Sequence, residues 1–271
     1  MLGRKDVGCD GHIHGMYLGN GRALARTKWG GKLLLDANDS LIAPYVLLDG
    51  EWEPHVTAVF RSLFKAGMVF VDVGANVGYY SMLAARMEAA QVYAFEPNPH
   101  CFRLLRQNAI LNWVSHRVRC ESTAVLDGDG SVKLQMRSRF PGNSSIGAVE
   151  QEHLDAHDDA AEWVEVTTTS LDGYLEQKNV PKIDLLKVDV EGAEPAVFAG
   201  MERTLETNRQ LKVLCEWSPG QILAAGQSIE SLWEIWRKVG FQLQWVEAGL
   251  QVISYDKLAT LSYANVLLSR R

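Results

Sequence analysis

No stretch of this 271-residue chain comes near the ~20 consecutive apolar residues that a membrane-crossing helix requires. Met1 to Gly21 carries Arg4, Lys5, Asp6 and Asp10 and no apolar run, so a secretory leader is not expected. Cysteine is sparse. Cys9, Cys101, Cys120 and Cys215 lie far apart with no paired spacing, which speaks against a disulfide framework. Cys120 and Cys215 fall in strand-like runs, where cysteine behaves as a small buried hydrophobe, and the expectation is a reduced, cytoplasmic protein. Positive charge is short as well, 27 Lys and Arg against 33 Asp and Glu, a formal net charge of -6. A general binder of nucleic acid or of membrane surfaces needs a positive field, so both classes are disfavoured. A small neutral or cationic substrate is not. Repeats and low-complexity tracts are absent.

What is present is ordinary globular material, 47% hydrophobic and 22% charged. From Arg22 to Gly50, short apolar runs are broken by Trp29-Gly-Gly31, Asn38-Asp-Ser40 and Asp49-Gly50, which predicts small antiparallel strands in an N-terminal extension over residues 1–50. Residues 51–271 form the main domain. There the pattern alternates helices with short, almost wholly apolar strands. Val56 to Lys65 has helical spacing. Strands are expected at Met68–Val73, Gln91–Phe95, Arg117–Glu121, Ile183–Val190, Leu211–Glu216, Phe241–Val246 and Ala264–Ser269. Helices are expected at Tyr79–Met87, Pro99–Leu111, Glu194–Leu205 and Ser228–Val239. Strands apolar on both faces need helices on both sides of a mostly parallel sheet, so the fold class is doubly wound α/β. Between the third strand and Ile183, Asp127-Gly-Asp-Gly130 predicts a hairpin flanked by Ser122–Leu126 and Ser131–Met136. Glu150 to Glu165 is acidic and reads as a loop or a short surface helix. Such an insertion overhangs the carboxyl edge of the sheet, where substrates bind.

Val71-Asp-Val-Gly-Ala-Asn-Val-Gly78 is the first strand-to-helix turn of a nucleotide-binding sheet. Gly74 permits the sharp turn and Gly78 close helix–strand packing. The spacing is Gly-x-Asn-x-Gly, not the Gly-x-Gly-x-x-Gly of dinucleotide binders, whose second glycine admits a pyrophosphate. Asn76 stands in that region, and Asp72 just before the first glycine would repel a phosphate. A ligand carrying an α-ammonium and a sulfonium suits this turn better. Glu96, in Phe95-Glu-Pro-Asn-Pro99, ends the second strand about 20 residues on, where a carboxylate grasps a ribose diol. The competing role, capping the helix at Pro99, is already filled by Asn98 with Pro99 in the first helical position.

In Ile183-Asp-Leu-Leu-Lys-Val-Asp-Val-Glu-Gly192, period two places Lys187, Asp189 and Glu191 on one side of the strand. A purely structural account is an ion pair of Lys187 with Asp189 or Glu216. The functional account sends Asp189 and Glu191 to the carboxyl edge, facing methyl donor and acceptor, with Lys187 tuning them; the two are compatible. Because parallel strands share one carboxyl edge, Asp72, Glu96, Asp189, Glu191 and Glu216 are expected to converge on one crevice.

Phe70–Ser81, Ala94-Phe-Glu-Pro-Asn98, Thr169-Ser-Leu-Asp172 and Lys187-Val-Asp-Val-Glu-Gly-Ala-Glu194 together resemble the FkbM-type methyltransferase family, over about Gly50 to Glu216. The resemblance implies a class I methyltransferase, with a Rossmann-like seven-stranded sheet whose last strand is antiparallel. It implies S-adenosyl-L-methionine as cofactor and a hydroxyl of a sugar (glycolipid, polysaccharide) or polyketide-type product as acceptor. Asp72, Gly74, Asn76, Gly78, Ser81 and Glu96 would then contact the cofactor, with Glu53 at its amino-acid end. Ala75, Tyr80, Pro97, Asn98, Thr123, Ala124 and Asp189 complete the expected cofactor site. The base candidates are Asp189, Glu191 and Glu216, the first two preferred, with His153 or His157 as outside choices. No metal ligand is assigned, although a carboxylate pair that orients the hydroxyl through a divalent ion is the alternative. The partner is a small-molecule or glycan acceptor, and homo-oligomerisation is left open. An NAD(P)-dependent oxidoreductase and a catalytically idle cofactor-binding module are the rival functions.

Other features read as structural. Cys9-Asp-Gly-His12-Ile-His14 lacks a clear fourth metal ligand. Trp233 and Trp236, one helical turn apart, read as packing. Asn143-Ser-Ser145 is either a plain loop or a lid over the acceptor, and His153 to Asp159 is a solvated charge run.

Overall fold

The computed structural model describes residues 14–148 and 151–270, with side chains for 14–148 and 154–270. The Cys9–His12 cluster and the His153 side chain lie outside what is described.

Three antiparallel strands open the chain, β1 (Gly15–Gly19), β2 (Arg22–Arg26) and β3 (Lys32–Asp36), paired in that order. Helix α1 (Ile42–Asp49) follows, where only strands and turns were expected. Asp39 accounts for it: its Oδ1 accepts the backbone N–H of Leu41 (2.7 Å) and Ile42 (3.3 Å), so Asn38-Asp-Ser40 starts a helix.

The alternation then follows its sequence pattern closely. It runs α2 (Pro54–Leu63), β4 (Val69–Val73), α3 (Tyr79–Arg86), β5 (Gln91–Phe95), α4 (Pro99–Leu111) and β6 (Val118–Glu121). An insertion comprises β7 (Ala124–Leu126), β8 (Gly130–Arg137), α5 (Gln151–Ala156) and β9 (Ala161–Ser170). The second half holds α6 (Leu171–Gln177), β10 (Leu185–Val188), α7 (Glu194–Ala199), α8 (Glu202–Thr207), β11 (Lys212–Trp217), α9 (Pro219–Ala224) and α10 (Ile229–Val239). It closes with β12 (Gln242–Trp245), β13 (Gln251–Ile253), α11 (Tyr255–Ala259) and β14 (Ala264–Ser269).

The main sheet has the order β13-β12-β14-β11-β10-β4-β5-β6. Neighbours from β11 to β6 are parallel, and β14 runs antiparallel between β11 and β12. This is the doubly wound arrangement expected, with β13, a three-residue return of the chain onto β12, as an eighth strand. One apolar core, with Phe60, Phe70, Met82 and Leu105, covers one face of the sheet. A second, with Val71, Leu186, Phe198 and Trp236, covers the other. The N-terminal sheet belongs to the first core through Ala25, Leu33 and Leu35. Two buried α4 carboxamides tie it down: Asn108 donates to the Leu34 carbonyl (3.0 Å) and Asn112 to that of Lys32 (2.7 Å).

Three expectations need correction. Asp127–Gly130 does not close a hairpin, because β9 inserts between β7 and β8, parallel to one and antiparallel to the other. β9, β-branched over most of Val164–Thr169, pairs its residues Ala161–Thr168 with Arg137–Gly130 of β8, a longer ladder than the three positions β7 offers. The helix over Glu194–Leu205 is two helices. Met201 leaves the helical region (φ -132°) between them, and Gly200 before it lies against the Leu126 carbonyl, where a Cβ would come within 2.0 Å of the oxygen. Asp172, on α6, then caps the second piece, its carboxylate accepting the N–H groups of Arg203 and Thr204 at 2.8 Å each. Finally, the strand over Ile183–Val190 is shorter, ending at Val188. Glu191 therefore owes its position to a turn and not to strand periodicity.

Among the described residues, no helix is long and apolar enough to cross a membrane, and Cys101, Cys120 and Cys215 are free thiols.

Candidate active site

β4 and β10 are sheet neighbours whose connections leave in opposite directions, and a cavity of about 510 Å³ opens beyond their carboxyl ends. Its floor is the turn after β4. Gly74 has φ +83°, and a Cβ there would lie 1.7 Å from the Asp189 carbonyl oxygen, so the turn rests directly on the end of β10. Gly74 and Ala75 donate their N–H groups to the Phe95 carbonyl at 3.0 and 2.9 Å. Three non-glycine residues lining the cavity hold left-handed backbones: Glu53 (φ 43°), Asn76 (φ 51°) and Glu191 (φ 56°). Such conformations are disfavoured for side-chain-bearing residues and collect where a site dictates the backbone.

Glu96 sits across from the turn with both oxygens engaged. Oε2 accepts the Asn76 N–H (2.7 Å) and Oε1 that of Asn98 (2.8 Å). Burial pushes its carboxyl up to about 7. Asp72 is buried on β4 and accepts the Ser81 hydroxyl at 2.6 Å; burial pushes it up to about 6, against the pull of Lys187. Lys187, on β10, is the buried cation of this wall. Its Nζ meets Asp189 Oδ2 at 2.5 Å and lies 4.9 Å from the centre of the Tyr80 ring. Burial alone would lower the Lys187 pKa, but Asp189, Glu53 and Asp72 outweigh it and raise it. Tyr80 also donates to Glu53 Oε2 (2.9 Å), whose carboxyl burial raises.

A second acidic group lines the same cavity. Asp189, Glu191 and Glu216 each bring a carboxylate oxygen within 4.8 Å of the others. Burial, then Asp189 and Glu194, holds Glu191 well above the usual carboxylate range. Glu216 is raised likewise by burial, Asp189 and Glu191. Gln221 donates to Glu191. Glu194 fixes the turn that carries them, its Oε1 accepting the N–H of Val190 (3.1 Å) and Gly192 (3.4 Å).

Of the expected cofactor residues, Glu53, Asp72, Gly74, Ala75, Asn76, Tyr80, Glu96, Pro97, Thr123, Ala124 and Asp189 line this one cavity, together with Glu191 and Glu216. Gly78, Ser81 and Asn98 stand behind its wall. Gly78 makes room for Leu105 of α4, where a Cβ would come within 2.5 Å of Cδ1, so its close packing is against α4 and not β4. Ser81 serves Asp72, and Asn98 caps α4 through the His100 N–H (2.9 Å) and reaches Ser144 Oγ (2.9 Å). Asn143 and Ser144 line the cavity and Ser145 does not, so the segment borders it. His157 does not line it and packs edge-on against Phe140 at 5.8 Å. Trp236 is buried and Trp233 stacks on Trp217 at 5.6 Å, both as packing. His14 binds the Arg26 carbonyl (3.3 Å). Sequence reasoning missed Glu247, Tyr263 and Asn265, which close the cavity from the β12 and β14 side; Glu247 Oε1 accepts Asn265 Nδ2 at 2.8 Å.

The Methyltransferase FkbM domain matches residues 72–243, from the β4 acid to β12. The chain belongs to this family. It is 31% identical over 175 residues to Methyltransferase sdnD of Sordaria araneosa, covering 56% of this chain and 67% of that protein. It is 32% identical over 161 residues to the 31-O-demethyl-FK506 methyltransferase FkbM of Streptomyces tacrolimicus, covering 51% and 61%. A match to the Hexuronic acid methyltransferase AglP of Haloferax volcanii has 29% identity over 143 residues, covering 51% and 52%. The FkbM-domain match thus takes in every carboxylate of the cavity except Glu53 and Glu247, and each of these relatives extends beyond the stretch it shares with this chain.

Proposed function

We propose that this FkbM-domain protein is an S-adenosylmethionine-dependent O-methyltransferase acting on a hydroxyl of a sugar or polyketide-type acceptor. The observation that carries the reading is the cavity itself, a wall of carboxylates around the β4 turn whose charge works against a pyrophosphate. The names of the FK506 and hexuronic acid relatives support the acceptor class. The residues fit the cofactor. Asp72, Glu96 and Glu53 are acceptors for its ammonium and ribose hydroxyls, and Asn76 Oδ1 is buried there without a partner. A cavity of about 510 Å³ is within the ordinary range for such ligands. When bound, S-adenosylmethionine supplies an electrophilic methyl group on a sulfonium.

The chain's own work is alignment and proton removal. Asp189, charged in its pair with Lys187, takes the proton of the acceptor hydroxyl; a positioned base is worth about 10²–10⁴-fold. Glu191 and Glu216 hold the acceptor beside it. The acidic lining works against a phosphate-rich partner such as nucleic acid. The test is calorimetric titration with S-adenosylhomocysteine and with NAD, followed by labelled methyl transfer to a panel of cell-derived glycolipids, polysaccharides and secondary metabolites. NAD binding in place of S-adenosylhomocysteine points to the oxidoreductase. Cofactor binding with no transfer to any acceptor points to an idle module.

The pH dependence of binding has a definite sign. Glu96 (about 7) and Asp72 (about 6) accept hydrogen bonds from a ligand's hydroxyl and ammonium groups most strongly when ionised. S-adenosylhomocysteine should therefore bind with constant affinity above pH 8 and weaken by on the order of 100-fold by pH 5.5 if both must lose their protons. The ligand-free fold responds oppositely. Its raised carboxyls stabilise it at low pH, and that contribution is lost as pH rises through about 6 and about 7. An affinity that does not change over this range would remove both acids from the ligand site.

A further inference from the structure

We infer that Asp189, Glu191 and Glu216 form a binding site for a single hard divalent cation, Mg²⁺ or Mn²⁺, at the acceptor end of the cavity. One carboxylate oxygen from each lies within 4.8 Å of the other two, a spacing at which one ion reaches all three. All three ligands are oxygens, which selects Mg²⁺, Mn²⁺ or Ca²⁺ over softer metals.

The independent observation is Glu216. Its residue is 9% exposed, its Oε2 is buried with no hydrogen-bond partner, and among the described residues it forms no ion pair. A carboxylate oxygen left bare in the interior is a costly feature that a ligand atom relieves. Gln221, which holds Glu191 in place, has a buried and unpartnered Oε1 in the same lining. Charge balance agrees. Lys187 is the lysine of a cavity that carries seven carboxylates, so the lining has negative charge to spare for a cation. The supports are also rigid. Glu194 pins the Asp189–Gly192 turn, and Glu216 lies on β11 paired with Asn265 of β14.

The function of the ion rests on the methyltransferase reading: its open positions would hold the acceptor's hydroxyl oxygens, favouring acceptors with neighbouring oxygens, and Asp189 would bind it through one oxygen while the other, beside Lys187, takes the acceptor's proton. The site itself does not rest on it. Mn²⁺ titration of the full chain, followed by electron paramagnetic resonance, should show one saturable site per chain that Mg²⁺ displaces. Glu216→Gln and Glu191→Gln should each weaken it by about tenfold or more, as loss of a ligand does. The same samples should keep their S-adenosylhomocysteine affinity and thermal midpoint, and Glu202→Gln on the distant α8 surface should change nothing. Absence of saturable Mn²⁺ binding, or binding indifferent to both substitutions, overturns the proposal. A variant whose thermal midpoint falls is replaced by its Asp counterpart, Glu216→Asp or Glu191→Asp, which must also shift the affinity. S-adenosylhomocysteine binding without Mn²⁺ binding defeats the metal site alone. Mn²⁺ binding without S-adenosylhomocysteine binding defeats the methyltransferase reading alone.

Discussion

Lys187→Met is expected to lower the free energy of unfolding by about 3–5 kcal/mol at pH 8, the range found when one partner of a buried ion pair is removed. Lys187 is buried on β10, its register partner on β4 is Asp72, and its ammonium meets Asp189 and the Tyr80 face. Methionine can fill the stem's volume but leaves Asp189, Asp72 and Glu53 facing one another without a cation. Those carboxylates have one remedy, which is to take up protons. The destabilisation should therefore shrink by more than half at pH 5.5, where Asp72, already at about 6 with the lysine present, is protonated in the variant. Denaturant midpoints for both proteins at the two pH values decide it. An equal loss at both would mean that Lys187 stabilises by packing and that the acids do not depend on it.

The second large effect is catalytic. Asp189→Asn together with Glu191→Gln should reduce methyl transfer by about 10²–10⁴-fold, the worth of a positioned base. Both exchanges preserve shape. Asparagine at 189 still offers an oxygen to Lys187, and glutamine at 191 still meets Gln221. Single variants then separate the roles. Asp189 carries its charge in an ion pair, whereas burial holds Glu191 far above the usual carboxylate range. Most of the loss is thus expected from Asp189→Asn. Single-turnover rates at saturating cofactor are the measurement, and near-normal turnover in both single variants would refute the base assignment.

Much of this site was legible in the chain because its parts sit at fixed offsets from strand ends. Pro99–Leu111 is the helix expected, since Asn98 caps it and proline occupies its first position. Asp72, Glu96, Asp189 and Glu216 reach one cavity because parallel strands deliver their carboxyl ends to one edge. What could not be read were features set by tertiary approach. The break between α7 and α8 depends on the Leu126 carbonyl pressing on Gly200 and on Asp172 capping from α6, distant in sequence. Glu194 is part of a recognisable motif, yet its bonds go to backbone N–H groups of a turn whose shape periodicity cannot give. Glu247, Tyr263 and Asn265 carry no motif and reach the cavity because β14 runs backward beside β11. The β9 strand was readable. Its first five residues, Ala161–Glu165, end the acidic stretch expected as a loop or short surface helix, of which α5 is the helix.

The contact between Gly74 and the Asp189 carbonyl has a consequence for how such a protein can diversify. With no space between them, the turn after β4 and the Asp189 backbone behave as one rigid block, and a change that moves either displaces both. Adaptation to new acceptors has little freedom there. It has more in the wall contributed by the insertion, where Leu134, Asn143 and Ile146 line the cavity from outside that block. On the proposed function, the chemistry is anchored in the part of the sheet least able to vary, and acceptor choice would fall to the segment that the sheet does not constrain.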